Sequence, residues 1–173
     1  MPLTCPMPAN INPLRLTGYN FNISKLPELS FFVQNVEIPQ ITLGVTSQYT
    51  SVHDIKIPGE TMEYAPLTIE FLVDENMTNW RGIYSWIIAL GYPTGHELYK
   101  SYISQQPGFS ELSKGYSDGF LAVLDNSNIA IQTFTFVDLF PVSLSGMRYD
   151  SSAQEPEVAR ASVTFEYSYY TMS

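Results

Sequence analysis

Charge is what this sequence lacks most. Asp, Glu, Lys and Arg make up 14% of its 173 residues, against about 25% in an ordinary soluble domain. A surface normally stays soluble through its charges, so a chain this poor in them is expected to have much of its surface covered by partners. The competing reading is a monomer coated in Ser, Thr and Asn. Cations are scarcer still, with eight Lys and Arg against 17 carboxylates and a net charge of −9. They are scattered without a run, which argues against tight DNA or RNA binding, since that needs clustered cations to neutralise phosphates. The acidic balance instead suits a wall past which DNA slides without sticking.

Cysteine is nearly absent. Cys5 stands alone, so there is no internal disulfide and no cysteine metal site, and it has no basic neighbour to lower its pKa. The two histidines, His53 and His96, lie in unrelated segments and are expected to be satisfied or to face solvent. No HxH, HExxH or CxxC spacing occurs, no GxSxG elbow and no Gly-rich phosphate loop. Ser143-Leu144-Ser145-Gly146 reads as a strand running into a turn. Asp74-Glu75 reads as a pair of carboxylates complementing a helix dipole, and Glu155 and Glu157 as solvated charge. The sequence therefore predicts no catalytic residue, no metal and no cofactor. The first residues, MPLTCPMPANINPLRL, have neither a basic start nor a continuous apolar stretch. No run is long enough for a membrane helix, and the chain reads as made in the cytoplasm.

What is there is strand pattern. From Glu157 to Tyr170, Ala159, Ala161, Val163, Phe165, Tyr167 and Tyr169 alternate with polar residues, which predicts one long half-buried strand. Gly18–Lys25 and Phe31–Glu37 read as two strands of a hairpin around a proline turn. Ile41–Val45 is a short apolar piece ending in the polar stretch Thr46–Ser51. Asp54–Ile57 is another short strand, stopped by the turn signal Pro58-Gly59. Met62–Val73 alternates strongly, with Leu67, Ile69, Phe71 and Val73 on one face. Phe120–Leu124 and Ile129–Asp138 form a hairpin around Asp125–Asn128, bending at Phe140-Pro141 and continuing to Ser145. Trp80, Ile83, Tyr84, Ile87 and Ile88 recur at helical spacing instead, which predicts a helix over about 77–90 that plugs an open end or face of the sheet. Asp74 or Asn76 is placed to cap it and Gly91 to stop it.

Two segments do not fit a strand or a helix. Residues 1–16 carry four prolines and read as an extended arm. Residues 92–119 form a long excursion with Tyr99, Tyr102, Phe109 and Tyr116, too aromatic for disorder and long enough to order on a partner.

The order of elements resembles the tail tube proteins of contractile-tailed, T4-like phages, including the relatives that start or close the tube. The likeness rests on VEIPQITLGV followed by DIKIPGETMEYAPLTIEFLVDENMTNW, and on LFPVSLSGMRYDSSAQEPEVARASVTFEYSYY, covering about residues 38–90 and 129–170. It implies a mainly β fold, a barrel or sandwich with one flanking helix, in one domain over residues 1–173. It implies a structural virion protein: six copies in a ring, rings stacked into a DNA conduit, with tube, sheath or baseplate proteins as partners. On that reading the arm and the excursion lie between subunits or rings. The channel wall is then acidic or neutral, with Glu70, Asp138 and Glu166 as strand-borne candidates. A monomeric carbohydrate-reading β-sandwich, with the aromatic excursion as its site, is the alternative.

Overall fold

The computed structural model of the chain describes residues 12–91, 97, 100, 101, 115–149 and 158–173. In chain order these form β1 (Tyr19–Ile23), β2 (Val33–Val36), β3 (Ile41–Gln48), β4 (Ile55–Tyr64), β5 (Leu67–Leu72), α1 (Thr78–Gly91), β6 (Ser117–Leu124), β7 (Ala130–Leu144), β8 (Arg160–Glu166) and β9 (Tyr169–Met172). Residues 97, 100 and 101 are also helical. No helix among the described residues is long and apolar enough to cross a membrane.

Seven strands make one antiparallel sheet in the order β1-β6-β7-β8-β5-β2, with β9 pairing β7 beyond the end of β8. The expected hairpin of the first two strands does not form. β1 pairs β6, β2 pairs β5, and the pair stands at opposite ends of the sheet order. Between them a 3-10 turn, Pro27–Phe31, buries Leu29 in the core and turns the chain away from β1. The sheet curls until its ends approach, where the Tyr19 hydroxyl donates to the Val33 carbonyl at 3.5 Å. The result is an open barrel rather than a closed one.

Alternation fills its interior. Leu67, Ile69 and Phe71 of β5 and Ala161, Val163 and Phe165 of β8 are all buried, as are Phe21, Ile23, Leu121 and Phe136. The single strand expected to run to Tyr170 breaks, however. β8 ends at Glu166, and Tyr167-Ser168 separates it from β9. Opposite that break, Asp138 of β7 takes a left-handed φ of 57°, a conformation a non-glycine residue adopts at a cost. The Ser168 amide donates to the Val137 carbonyl at 3.0 Å and its hydroxyl to the Asp138 carboxylate at 3.1 Å. Both strands switch inward face there. β7 buries Phe134 and Phe136 before the kink and Leu139 and Pro141 after it. Tyr167 is buried, but Tyr169, expected inward, is exposed, and Tyr170 takes its place beside Phe136. The strand therefore kinks at Asp138 and is irregular again at the expected Phe140-Pro141, where its register against β8 shifts between Pro141 and Ser143.

α1 covers the interior. Its buried stripe is Asn79, Ile83, Trp86 and Ala89. Of the expected Trp80, Ile83, Tyr84, Ile87 and Ile88, Ile83 is buried, Trp80, Ile87 and Ile88 are half-buried and Tyr84 is exposed, so the helix is rotated away from Tyr84. Trp86 is fully buried beside Phe165 and donates its indole N–H to the Gly115 carbonyl at 2.9 Å. The rotation has a polar cause. The buried Asn79 side chain donates to the Leu72 carbonyl at 2.8 Å and accepts from the Trp80 amide, pinning the first turn to the end of β5. Asp74 accepts from the Asn79 amide at 3.0 Å, the capping role expected of it. Lys25 lies 5.1 Å from the Trp86 ring centre, and burial lowers its pKa to about 8.

The far end of the excursion is not loop: β6 begins at Ser117, and Tyr116 packs edge-on against Phe140. Tyr99, Tyr102 and Phe109 fall outside the described residues, as do Cys5, His96, Glu155 and Glu157. Residues 12–16 of the arm are exposed.

Candidate interaction surface

β3 and β4 form a second, two-stranded sheet. The expected stop at Pro58-Gly59 is instead a bulge within β4. Leu43 pairs Met62 and Val45 pairs Pro58, so Gly44 on one strand faces Gly59, Glu60 and Thr61 on the other. Two glycines make that crossing fit. A Cβ on Gly59 would stand 2.7 Å from the Gly44 carbonyl oxygen, closer than backbone tolerates, so position 59 needs a residue without a side chain, while a Cβ on Gly44 would meet the Thr61 carbonyl oxygen at a tight 3.3 Å. β4 also ends earlier than the expected Met62–Val73 strand. Ala65-Pro66 interrupts it, leaving Met62–Tyr64 in the hairpin and Leu67 onward in the barrel.

The hairpin is apolar and exposed. Ile41, Leu43, Val45, Ile55, Ile57 and Met62 all lie open, with Val45 63% exposed. At its tip Tyr49 and Val52 are 84% and 87% exposed. His53 lies there in solvent, its amide held by the Thr50 hydroxyl at 3.2 Å. A lone two-stranded ribbon is marginal in water. One that leaves apolar side chains open on both of its faces, Ile41, Leu43, Val45 and Met62 on one and Ile55 and Ile57 on the other, is a surface suited to contact.

Its base is held by aromatic rings. Tyr64 packs edge-on against Tyr167 and Tyr170, at 6.0 and 5.5 Å between ring centres. Phe134 packs edge-on against Tyr170 and Phe136 against Tyr167. The Tyr167 hydroxyl donates to the Ala65 carbonyl at 2.8 Å, and that of Tyr170 to the Pro39 carbonyl at 3.3 Å. Burial, with smaller contributions from Tyr170, Glu166 and Tyr64, pushes the Tyr167 phenol well above its ordinary pKa, so it remains a donor. Burial first and Tyr64 second raise Tyr170 as well.

A second surface is the wall of the barrel. Glu70 and Glu166 lie on the outward faces of β5 and β8 among Thr68, Ser162, Thr164 and Arg160, with Asp138 exposed at the kink. Asp118 of β6 is exposed too, a carboxylate that the pattern of the sequence did not single out. A third is the flank of α1, where Trp80 and Tyr84 stack at 5.4 Å and 11°.

No cluster of three metal-ligating side chains occurs among the described residues, and every buried side-chain polar atom there has a partner. The geometry described is one of contact surfaces.

Comparison with known proteins fits that geometry. The profile of a family described as phage tail tube protein matches residues 3–173. The tail tube terminator protein of Enterobacteria phage T4 is 28% identical over 142 residues, spanning 79% of this chain and 74% of that protein. Among solved structures, the tube-terminating cap of the anti-feeding prophage superposes with a TM-score of 0.67 at 15% identity, covering 100% of this chain and 99% of the other. The sheath/tube terminator of the PVC extracellular contractile injection system, in its extended state, gives 0.58 at 16% identity over 94% and 97%. At these identities the two superpositions establish a shared fold.

Proposed function

The chain belongs to the phage tail tube protein family, and on that premise we propose that six copies form a ring that closes one end of a contractile-tail tube. The carrying observation is the hairpin of β3 and β4, whose apolar faces a free monomer would leave in water. In a ring each hairpin docks on a neighbouring copy or ring, and the open strand edges of the barrel continue from subunit to subunit. The place at a tube end, rather than along the tube, draws on the kinship with the phage T4 terminator. The outward face of β5 and β8, with Glu70 and Glu166, then lines a channel through which DNA passes unbound, and Asp138 borders it. Residues 1–173 act as one domain, and the role is structural rather than catalytic. The partners are the adjoining tube ring and the sheath or baseplate proteins around it. Arm and excursion lie between subunits.

Mass photometry and electron microscopy of the purified chain test the ring. Sixfold rings are expected. A monomer at every concentration overturns the proposal and favours the sugar-reading module. Gold-labelled antibody on intact virions tests the position: label at one end of the tube is expected, and label along its whole length makes the chain the main tube subunit. Removal of Met1–Pro13 is expected to weaken association if the arm bridges subunits.

A further inference from the structure

We infer that Tyr167 and Tyr170 are positioning residues for the hairpin: their hydroxyls lock both of its arms to the barrel and so set the direction in which its apolar faces are presented. Two prolines frame the hairpin. The hairpin leaves the barrel just after Pro39 and returns to it at Pro66. Neither residue has a backbone N–H, so neither can donate to a ladder that would tie the hairpin rigidly into the main sheet. The Ala65 amide donates to the Gln40 carbonyl at 3.0 Å, continuing at the base the β3–β4 ladder that joins the two arms to each other. The bonds from the arms to the barrel come from the phenols. Tyr167 reaches the carbonyl of Ala65, immediately before one proline, and Tyr170 reaches the carbonyl of the other proline itself. Each arm thus receives a side-chain donor at the point where proline withdrew the backbone one.

The rings explain why these donors are rigid. Tyr167 is buried, and both rings pack in one cluster with Tyr64, Phe134 and Phe136, four of the five belonging to the barrel. The hydroxyls are therefore aimed by packing rather than by chance rotamers, and Tyr64 seats the hairpin's own end in the same cluster. The kink at Asp138 and Ser168 is part of the device. It lets two tyrosines only three positions apart both face the arms, which an unbroken strand would prevent by sending them to opposite sides.

What the hairpin docks against rests on the ring reading; the lock itself does not. The test uses the full chain with both tyrosines changed to phenylalanine, keeping the rings and removing the hydroxyls. Hydrogen exchange on the unassembled protein is read first. The amides of the hairpin, from Ile41 to Ala65, are expected to exchange about tenfold faster or more, with those of Val163 and Phe134 within about twofold of the parent. Unchanged hairpin amides overturn the lock. Equal acceleration in the barrel overturns it too, since the tyrosines then serve general stability. Association is read second, and its midpoint concentration is expected to rise at least about tenfold. Y149F, which alters an exposed tyrosine bonded to the Met77 sulfur at 3.8 Å, is expected to change neither readout. A double variant with a loosened hairpin but a parent-like midpoint overturns the claim that direction matters for docking. A parent that never associates sinks the ring reading instead and leaves the exchange result to decide the lock.

Discussion

The barrel and the hairpin are both antiparallel β-sheet made from similar residues, yet they sit in opposite surroundings. In β5 and β8, Leu67, Ile69, Val163 and Phe165 are completely buried. In β3 and β4, Ile41, Leu43, Val45, Ile55 and Ile57 are exposed. β-propensity is therefore satisfied in both, while burial is satisfied inside the chain in only one. Backbone pairing sets the shape of the hairpin, but its apolar side chains stay exposed. The two regions are expected to respond to mutation in opposite ways, the barrel through stability and the hairpin through association.

The largest effect on stability belongs to the barrel. Trp86→Ala removes the side chain that fills the space under α1 and beside Phe165. It is expected to cost about 3–5 kcal/mol and to lower the thermal midpoint by on the order of 10 °C, read by calorimetry. A loss below about 1 kcal/mol would mean that α1 is not the lid of the core.

Gly59→Ala is expected to act on the hairpin alone. Its Cβ has nowhere to go against the Gly44 carbonyl, so the crossing must open, at about 1–3 kcal/mol of local strain. Hydrogen exchange should quicken from Ile41 to Tyr64 and stay unchanged in β7 and β8. A matching rise in the barrel would show that the two regions fold as one unit.

Lys25 gives a pH signature to the barrel. Its folded pKa, about 8, lies below its ordinary 10.5, so the unfolded chain binds the extra proton between those values. Stability should then rise from about pH 8 toward 10.5, and below pH 8 the folded state carries the full penalty. Because the side chain is only half buried, the effect is on the order of 1 kcal/mol rather than the full shift. Lys25→Met should abolish the rise in a series of melts across that window. Persistence of the rise would assign it to another group.

The smallest effect on stability, and the largest on association, is expected from Val45→Asp. An exposed position changes folding by within about 0.5 kcal/mol, but a carboxylate in an apolar contact should prevent rings from forming. Intact rings in mass photometry would remove the hairpin from the interface.

Much of the barrel was legible because alternation and burial agree there: Leu67, Ile69 and Phe71 are inward, as their spacing predicts. The helix was legible from its period, but its face only in part: Ile83 is buried as its spacing predicts, whereas the stripe begins at a hydrogen-bonded Asn79, and a polar residue does not signal burial in a pattern of apolar ones. Pairing beyond neighbours was also hidden. β1 and β2 look like a hairpin, yet their partners lie in β6 and β5, and nothing local announces that. The hairpin of β3 and β4 was masked by Pro58-Gly59, the same dipeptide that serves as a turn elsewhere and as a bulge here. Tyr169 was read inward because alternation cannot foresee a kink created by Asp138 across the sheet. As for the exposed hairpin, poverty of charge pointed to covered surface somewhere, but nothing in the pattern singled out Ile41–Tyr64 as the place. The hydroxyl bonds of Tyr167 and Tyr170 were not visible, since a tyrosine in a strand pattern counts only as an aromatic ring.

The place of β8 has a further consequence, for the order of synthesis. It lies between β7 and β5 and emerges from the ribosome after both of them. Until it arrives, β5 has β2 on one side and an empty edge on the other, and the second half of β7 is unpaired. Joining β5 to β8 closes a loop of roughly 90 residues, a slow step because the ends must meet before any contact rewards them. A nascent chain thus stays incomplete through most of its translation, with open edges that invite the wrong neighbours. Tyr167 and Tyr170 are made later still. On the lock and ring readings proposed above, the hairpin, although formed from residues made early, takes its final direction only after the barrel has closed, and recruitment into an assembly is then timed to finished subunits.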